Sequence, residues 1–476
     1  MRLFETLLLI ANFIAFLVLV IPLAGTLHCL RYLVPIVLLI AIVQISLEGM
    51  RWQMVPAYVI TGLLLIGWFI QHQQLMKSNY GSSWQRILII VFGLFGLAVA
   101  FLLPIIIPVF HIPRPSGPYD IGTLTYHWKD GDRTELYTEE PNDYRELMVQ
   151  IWYPANGSKS SHRTHYVQDA KVLTPLARLL DLPGFIFGHL KYITTNAMEA
   201  VPVADGEASY PVLIFSHGRG GFRQHNTLQI EELVSNGYIV ASIDHTYASS
   251  GVVFPDGHMV ALDPRMLDRI YVDSMIPYLA QDAVFTLNQL EALNLSDPNG
   301  VLTGKLDLQR AGIFGLSLGG EVVAEACLIE PRFKSCLVMD VWMPHDVVQE
   351  GLRQPTMWIS RDAETMRLEG WSEEDINETL SSMRAVFEKL PTNGYFVQVP
   401  GMFHQDFSDA PLLSPLTSWL GITGPINQRL AHDIIGAYSL AFFDRHLRGR
   451  PEKLLEGGTA QYQDVIIETH TPTAYK

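Results

Sequence analysis

The ten residues from Ala311 to Gly320, A-G-I-F-G-L-S-L-G-G, leave the backbone fewer options than any other stretch of this 476-residue chain. Ala311-Gly312-Ile313-Phe314 is a short apolar run of the kind a fully buried parallel strand shows, and it enters Gly315-Leu316-Ser317-Leu318-Gly319 directly. G-x-S-x-G between a strand and a helix predicts a turn so tight that the positions two before and two after the serine tolerate almost no side chain, which Gly315 and Gly319 satisfy. The serine hydroxyl is then lifted to the carboxyl edge of a sheet as a candidate nucleophile. Leu318 opens the following helix, so its backbone N–H lies beside that hydroxyl as a candidate donor to an oxyanion.

The surrounding pattern is regular. Strands are predicted at Arg145–Pro154, Val212–Phe215, Tyr238–Ile243, Cys336–Met339, Pro355–Ser360 and Tyr395–Val399, with helices over Leu228–Asn236, Met266–Leu293, Glu373–Leu390 and Leu430–Leu447. Strands alternating with helices predict an α/β fold, a mostly parallel sheet with helices on both faces. Reactive side chains are then expected in loops at the carboxyl ends of the strands.

A serine at neutral pH needs a base, and the base needs an acid to orient it. In chain order after a G-x-S-x-G serine these come as acid and then histidine. His404, in Pro400-Gly401-Met402-Phe403-His404, follows the last predicted strand, whereas His432 and His446 fall within the final helix. Two aspartates end strands where they could reach it, Asp340 after Val338-Met339 and Asp362 after Ser360-Arg361, and the pattern alone leaves both open. A second oxyanion donor is expected from the glycine-rich loop Ser216-His217-Gly218-Arg219-Gly220-Gly221, where the N–H of Arg219 has the position and His217 a bracing role.

The front of the chain is of another kind. Of 48 acidic residues only Glu5 and Glu48 precede residue 111, alongside five basic ones. Four apolar stretches there, Leu7–Leu23, Leu33–Leu47, Val55–Ile70 and Ile87–Phe110, are predicted to be transmembrane helices, because no polar face marks them as core helices of a soluble domain. Cleavage after a signal peptide ending near Ile21-Pro22-Leu23-Ala24-Gly25 would still leave the chain anchored by the other three. Four crossings put the N-terminus and the main domain on one side. Arg31, Lys77 and Arg86 fall in the first and third loops against Arg2, Arg51 and Arg114 opposite, and we expect the domain outside the cytoplasm. Prolines 104, 108, 113, 115 and 118 predict a stiff linker. Further on, Leu173–Leu190 carries leucines together with Phe185 and Phe187, too short to span and too apolar for a surface loop, and is expected to line a pocket, touch the membrane or pack on the core.

Composition excludes several classes. The part beyond residue 110 is strongly acidic, with no basic stripe, which argues against nucleic acid as a partner. Three cysteines, Cys29, Cys327 and Cys336, do not make a disulfide framework, and no C-x-x-C or H-E-x-x-H offers metal ligands. No cofactor or metal is expected.

The blocks Phe215-Ser216-His217-Gly218-Arg219-Gly220-Gly221-Phe222-Arg223, Gly315-Leu316-Ser317-Leu318-Gly319-Gly320, Met339-Asp340-Val341-Trp342-Met343 and His404-Gln405-Asp406-Phe407, in this order over about residues 145 to 450, resemble the platelet-activating-factor acetylhydrolase family of α/β-hydrolases. The resemblance implies an α/β-hydrolase fold, Ser317 as nucleophile, Asp340 rather than Asp362 as acid, His404 as base, and the N–H groups of Arg219 and Leu318 as oxyanion hole. It also implies calcium-independent hydrolysis of short or oxidised acyl esters, typically of phospholipids. The chain departs from the family in having Leu316 where histidine often precedes the serine, and in the hydrophobic stretches that the secreted animal members lack. The expected layout is a four-helix transmembrane region at 1–110, a linker and entry at 111–144, a catalytic domain at 145–450 and a tail at 451–476. The expected activity is that of a membrane-anchored, multi-pass serine esterase acting on a lipid or small ester. Two alternatives are a non-catalytic membrane protein that binds lipid or a partner, and a lipid or polyester acyltransferase.

Overall fold

A computed structural model of the chain describes residues 1–21, 30, 32–74, 83–157, 162–457 and 462–471. Cys29, Arg31, Lys77 and the Pro22–Gly25 exit lie outside the described residues. The chain divides into two compact units, one of Met1–Phe110 with Gly188–Leu190 and Leu413–Leu416, the other comprising His111–Phe187, Lys191–Leu412 and Thr417–Lys476.

Among the described residues the first unit holds four α-helices, α1 (Leu3–Val20), α2 (Val34–Glu48), α3 (Val55–Gln74) and α4 (Ser83–Ile106). Among the described residues three segments, Leu3–Val20, Trp52–Gln73 and Trp84–Ile106, are long and apolar enough to cross a membrane. The second of the four expected spans is the shorter apolar helix α2, with 15 residues, a rise of about 22 Å against a hydrocarbon core of about 30 Å. It stops at Gly49, whose φ of 77° takes the backbone out of the helical region. Several polar groups between these helices pair with one another, as groups away from water favour. Buried Glu5 takes two hydrogen bonds from Arg51, at 2.6 and 2.8 Å, while Asn12 bonds the Ala57 carbonyl and Thr61 bonds Asn12.

In the second unit the strands are β1 (Asp120–Thr134), β2 (Tyr144–Ala155), β3 (Arg163–His165), β4 (Thr194–Glu199), β5 (Tyr210–Ser216), β6 (Ile239–Asp244), β7 (Gly251–Val253), β8 (Met259–Ala261), β9 (Leu306–Leu316), β10 (Phe333–Met339), β11 (Thr356–Ser360), β12 (Gly394–Gln398) and β13 (Ile466–His470). Eleven form one sheet in the order β13-β12-β11-β10-β9-β5-β6-β2-β1-β4-β3, and β7 and β8 form a separate hairpin. From β12 through β11, β10, β9 and β5 to β6 every pairing is parallel. The Gly315–Gly319 turn follows β9, in the middle of this block, while the antiparallel pairings lie towards the edges.

The helices are α5 (Leu173–Leu179), α6 (Thr227–Ser235), α7 (Arg269–Leu295), α8 (Leu318–Ile329), α9 (His345–Glu350), α10 (Ala363–Glu369), α11 (Glu373–Lys389) and α12 (Gln428–Arg448). Because alternate side chains of a strand leave opposite faces, the parallel block supplies two cores. Val212, Ile214, Ile313 and Val338 pack with residues of α7, α8 and α11, and Leu213, Phe215, Phe314 and Leu337 with α6 and α12. The continuous apolar runs read from the sequence are these doubly covered strands.

Two boundaries differ from the expected layout. The sheet begins at β1, Asp120–Thr134, inside what reads as linker and entry, and it ends in the expected tail, where β13 pairs antiparallel with β12. In β1 the apolar residues Leu124, Tyr126 and Trp128 alternate with polar ones and end in Lys129-Asp130-Gly131-Asp132-Arg133, so the run reads as a charged loop until β2 is seen beside it. β13 has only Ile466 and Ile467 as apolar members, and its stability comes from the ladder with β12 rather than from burial. The Leu173–Leu190 stretch divides by residue: Leu173, Ala177 and Phe187 are buried, whereas Leu180, Leu182 and Phe185 are exposed.

Candidate active site

Ser317 occupies the tightest point of the chain, with φ 56° and ψ −129° between β9 and α8. Such a backbone costs a non-glycine residue of order 1–3 kcal/mol and persists only where its surroundings impose it. Here the Ser317 N–H bonds the Met339 carbonyl at 2.9 Å, and the N–H groups of Gly320 and Glu321 close on the Ser317 carbonyl at 2.6 and 3.2 Å. The flanking glycines are sterically required. A Cβ on Gly315 would run into the Gly319 carbonyl, and one on Gly319 into the carbonyl of Ser216.

The sheet edge beyond β10 carries Asp340, buried, with φ 50°. Its Oδ2 lies 2.6 Å from Nδ1 of His404, which opens a short 3-10 turn after β12. Its Oδ1 accepts from Nε of Arg361 at 2.9 Å and from the Ser360 hydroxyl at 3.2 Å. Burial alone would raise the Asp340 carboxyl, but the Arg361 guanidinium and the His404 hydrogen bond hold it well below the usual carboxylate range. Asp340 is therefore an anion paired with the imidazole. The rival Asp362 is occupied as the N-cap of α10, accepting from the Thr365 N–H at 2.7 Å and its hydroxyl at 3.1 Å. His432 and His446 are held at the Ser408 carbonyl and the Tyr395 hydroxyl.

The loop after β5 passes directly over the serine. A Cβ on Gly218 would stand 3.3 Å from Cβ of Ser317, and Gly220 needs its φ of 67° to turn the chain away. The turn is pinned by the Gly220 N–H on the Ala248 carbonyl and the Gly221 N–H on that of Gly218. Among the described residues no hydrogen bond engages the backbone N–H of Arg219. Leu318, as the first residue of α8, has no carbonyl one turn back to receive its own N–H. His217 braces the loop as expected, with Nδ1 2.8 Å from the Gly218 carbonyl and Nε2 2.7 Å from the Ser249 hydroxyl. Burial pushes its imidazole well below its ordinary value, so it stays neutral.

Beneath this loop is a network that the sequence did not disclose. His245 sits with Nε2 2.8 Å from the Ser216 hydroxyl and Nδ1 2.8 Å from Oδ2 of Asp282. Asp282 is paired in turn with Arg145 at 2.6 Å and Arg133 at 2.8 Å, and Arg145 also reaches Glu135 at 3.0 Å. This is a second serine–histidine–aspartate chain, but all three members are buried, so no substrate reaches it and it serves to fix Ser216 and His217. Its members come from the end of β5, the loop directly after β6, and α7, and no spacing in the sequence links them. The other group missed is Arg361 with Glu369 and Trp371, brought together after β11. Among the described residues no cluster of three or more histidine, cysteine or acidic side chains forms a metal site.

Fold and site together define an α/β-hydrolase: the tight serine turn after β9, the aspartate-paired His404 after β12 and the glycine-rich loop after β5 each follow the carboxyl end of a strand in the parallel block. The chain matches the platelet-activating factor acetylhydrolase, isoform II family over residues 106–260 and 290–454, and it belongs to that family. It is 23% identical over 383 residues to the platelet-activating factor acetylhydrolase of Gallus gallus, covering 71% of this chain and 84% of the relative. It is 24% identical over 410 residues to a probable 1-alkyl-2-acetylglycerophosphocholine esterase of Arthroderma benhamiae, covering 79% and 98%. Among solved structures it resembles a ferulic acid esterase from Streptomyces cinnamoneus, with a TM-score of 0.62 and 26% identity over 76% of this chain and 99% of that one. By this homology it is a carboxylic ester hydrolase.

Proposed function

We propose that the protein is a membrane-anchored serine esterase that cleaves short or oxidised acyl esters of phospholipids or related lipids through an acyl-enzyme, with no metal or cofactor. The observation that carries this reading is the 2.6 Å contact of His404 with buried, ionised Asp340 on the sheet edge that also presents Ser317. Ser317 Oγ attacks the ester carbonyl and yields its proton to Nε2 of His404. The tetrahedral oxyanion is held by the N–H groups of Arg219 and Leu318, and removing one such donor typically costs about 2.7–4 kcal/mol of barrier. His404 then gives the proton to the departing alcohol. Water repeats the sequence on the acyl-enzyme, and Asp340 stabilises the imidazolium in both halves. The family and the relatives named as acetylhydrolases support a phospholipid ester with a short acyl chain, and the three long apolar helices support a substrate met at a membrane.

The test is labelling of the full-length protein with a fluorophosphonate, together with hydrolysis of a p-nitrophenyl ester series of increasing chain length. Ser317→Ala is expected to abolish labelling and to lower hydrolysis by several orders of magnitude. Near wild-type hydrolysis by that variant would remove Ser317 from the mechanism.

A further inference from the structure

His404 is held from two sides, by its imidazole and by its backbone N–H. Its imidazole meets Asp340, while its backbone N–H points to the carboxylate of Glu369 at the end of α10, 3.1 Å from Oε1 and 3.3 Å from Oε2. The two carboxylates are joined by one guanidinium: Arg361 gives Nε to Asp340 at 2.9 Å and Nη1 to Glu369. Arg361, Asp340, His404 and Glu369 thus close a ring of hydrogen bonds, with the Arg361 side chain wholly buried and that of Glu369 15% exposed. Trp371 covers it, with the Arg361 guanidinium 4.3 Å from its ring centre and the His404 ring 6.2 Å away. A buried arginine beside a lone carboxylate would neutralise the anion on which an imidazolium depends. Here a second carboxylate balances it.

We propose that Arg361 and Glu369 form a charge-balanced brace that positions His404 against Asp340 and sets the pH below which His404 stops acting as a base. The pair act through other residues and do not touch substrate. The titratable and charged groups facing His404 are Asp340 from the end of β10, Arg361 from the end of β11, Glu369 from α10, and His225 from the loop before α6, which burial first and His404 second keep neutral. On its own turn, Asp406 is engaged by the N–H groups of Phe403 and Gly424.

The signs follow from Coulomb's law. Removing the negative Glu369 leaves Arg361 uncompensated and destabilises the imidazolium, so the acidic limb of kcat/KM moves to lower pH. Removing the positive Arg361 does the reverse.

This inference rests on the proposed triad, and the experiment separates the two. The pH profile of kcat/KM for a p-nitrophenyl ester is measured on full-length parent, Ser317→Ala, Glu369→Gln and Arg361→Gln. Glu369→Gln keeps shape and hydrogen-bonding capacity at a partly exposed site and carries the test. Its acidic limb is expected to move down by about half a pH unit, with an approximately tenfold loss in kcat. Arg361→Gln, where it folds, is expected to move the limb upward. If Ser317→Ala remains active, the triad reading itself has failed. If Ser317→Ala is inactive while Glu369→Gln leaves the limb in place or moves it upward, the triad stands and the brace is overturned, even if the rate falls, because a merely structural role lowers the rate without displacing the limb.

Discussion

Asp340 and Asp362 show how far a residue's identity is decided by what has already claimed its oxygens. Both end a strand on the same sheet edge, but Asp362 has spent its carboxylate on the first turn of α10, and Asp340 offers Oδ2 to His404 while Oδ1 is held by Arg361 and Ser360. Asp340→Asn is therefore expected to lower kcat by about three to four orders of magnitude, as an amide neither stabilises the imidazolium nor fixes the tautomer. Asp362→Asn keeps a good N-cap and is expected to lose less than about 1 kcal/mol of stability and little activity. Parallel kinetics and thermal melts of the two variants check this, and a more severe loss from Asp362→Asn would move the acid to the later strand. Local geometry was legible in the sequence: the tight turn at Ser317 by the spacing of Gly315 and Gly319, and the place of His404 after the last parallel strand. The choice between the aspartates was not legible from pattern, because it depends on side chains 20 or more positions apart, and only the family resemblance favoured Asp340.

At the scale of elements, the turn after β9 and the donor loop after β5 are made rigid by what lies under them, the helix α8 on one side and the Ser216–His245–Asp282–Arg145 chain on the other. That chain escaped the sequence reading because β6 and α7 bring its members together only after the sheet forms. The missed strands have a similar cause: β1 and β13 gain their stability from a neighbour's ladder and carry too few apolar residues to announce themselves. α8 itself contains a group whose titration can be followed. Burial, with repulsion from Asp273, pushes the Glu321 carboxyl up to about 8 against the hydrogen bond of Trp342 and the charges of Arg269 and Arg219. The native state therefore keeps this proton at pH values where the unfolded chain, with its carboxyl near 4.5, has lost it. The unfolded state binds fewer protons, so stability falls as pH rises from about 4.5 to 8. Glu321→Gln retains the neutral form's shape, and it is expected to gain about 4 kcal/mol over the parent at pH 8 relative to its effect at pH 4.5. Apparent Tm values at the two pH values decide the matter; an equal effect at both would mean that the carboxyl is ionised in the native state.

For the whole molecule the question is what the hydrophobic front of the chain contributes to an esterase whose proposed catalytic groups, Ser317, Asp340, His404, Arg219 and Leu318, all come from the second unit. If the helices serve to keep the protein where a lipid ester partitions, their loss changes delivery and not chemistry. Removing residues 1–110 is expected to leave kcat/KM for small soluble esters within about twofold, while turnover of esters presented in vesicles falls at least about tenfold. The exposed side chains of the Leu173–Leu190 stretch extend the same idea to the second unit, and the structure separates two phenylalanines that looked alike in the sequence. Phe185 is 58% exposed and Phe187 only 9%. Phe185→Ser is expected to slow vesicle substrates alone, because burying such a side chain in lipid is worth about 1.5–3 kcal/mol. Phe187→Ser is expected to destabilise the fold by about 3 kcal/mol and to lower activity on both substrates together. Thermal melts first establish that the truncated protein and both variants are folded, and rates on the soluble and vesicle esters are then compared side by side. Equal losses on both substrates after truncation would show that the helices support the catalytic unit's structure, and equal losses in folded Phe185→Ser would place that ring at the ester pocket instead of at a lipid surface.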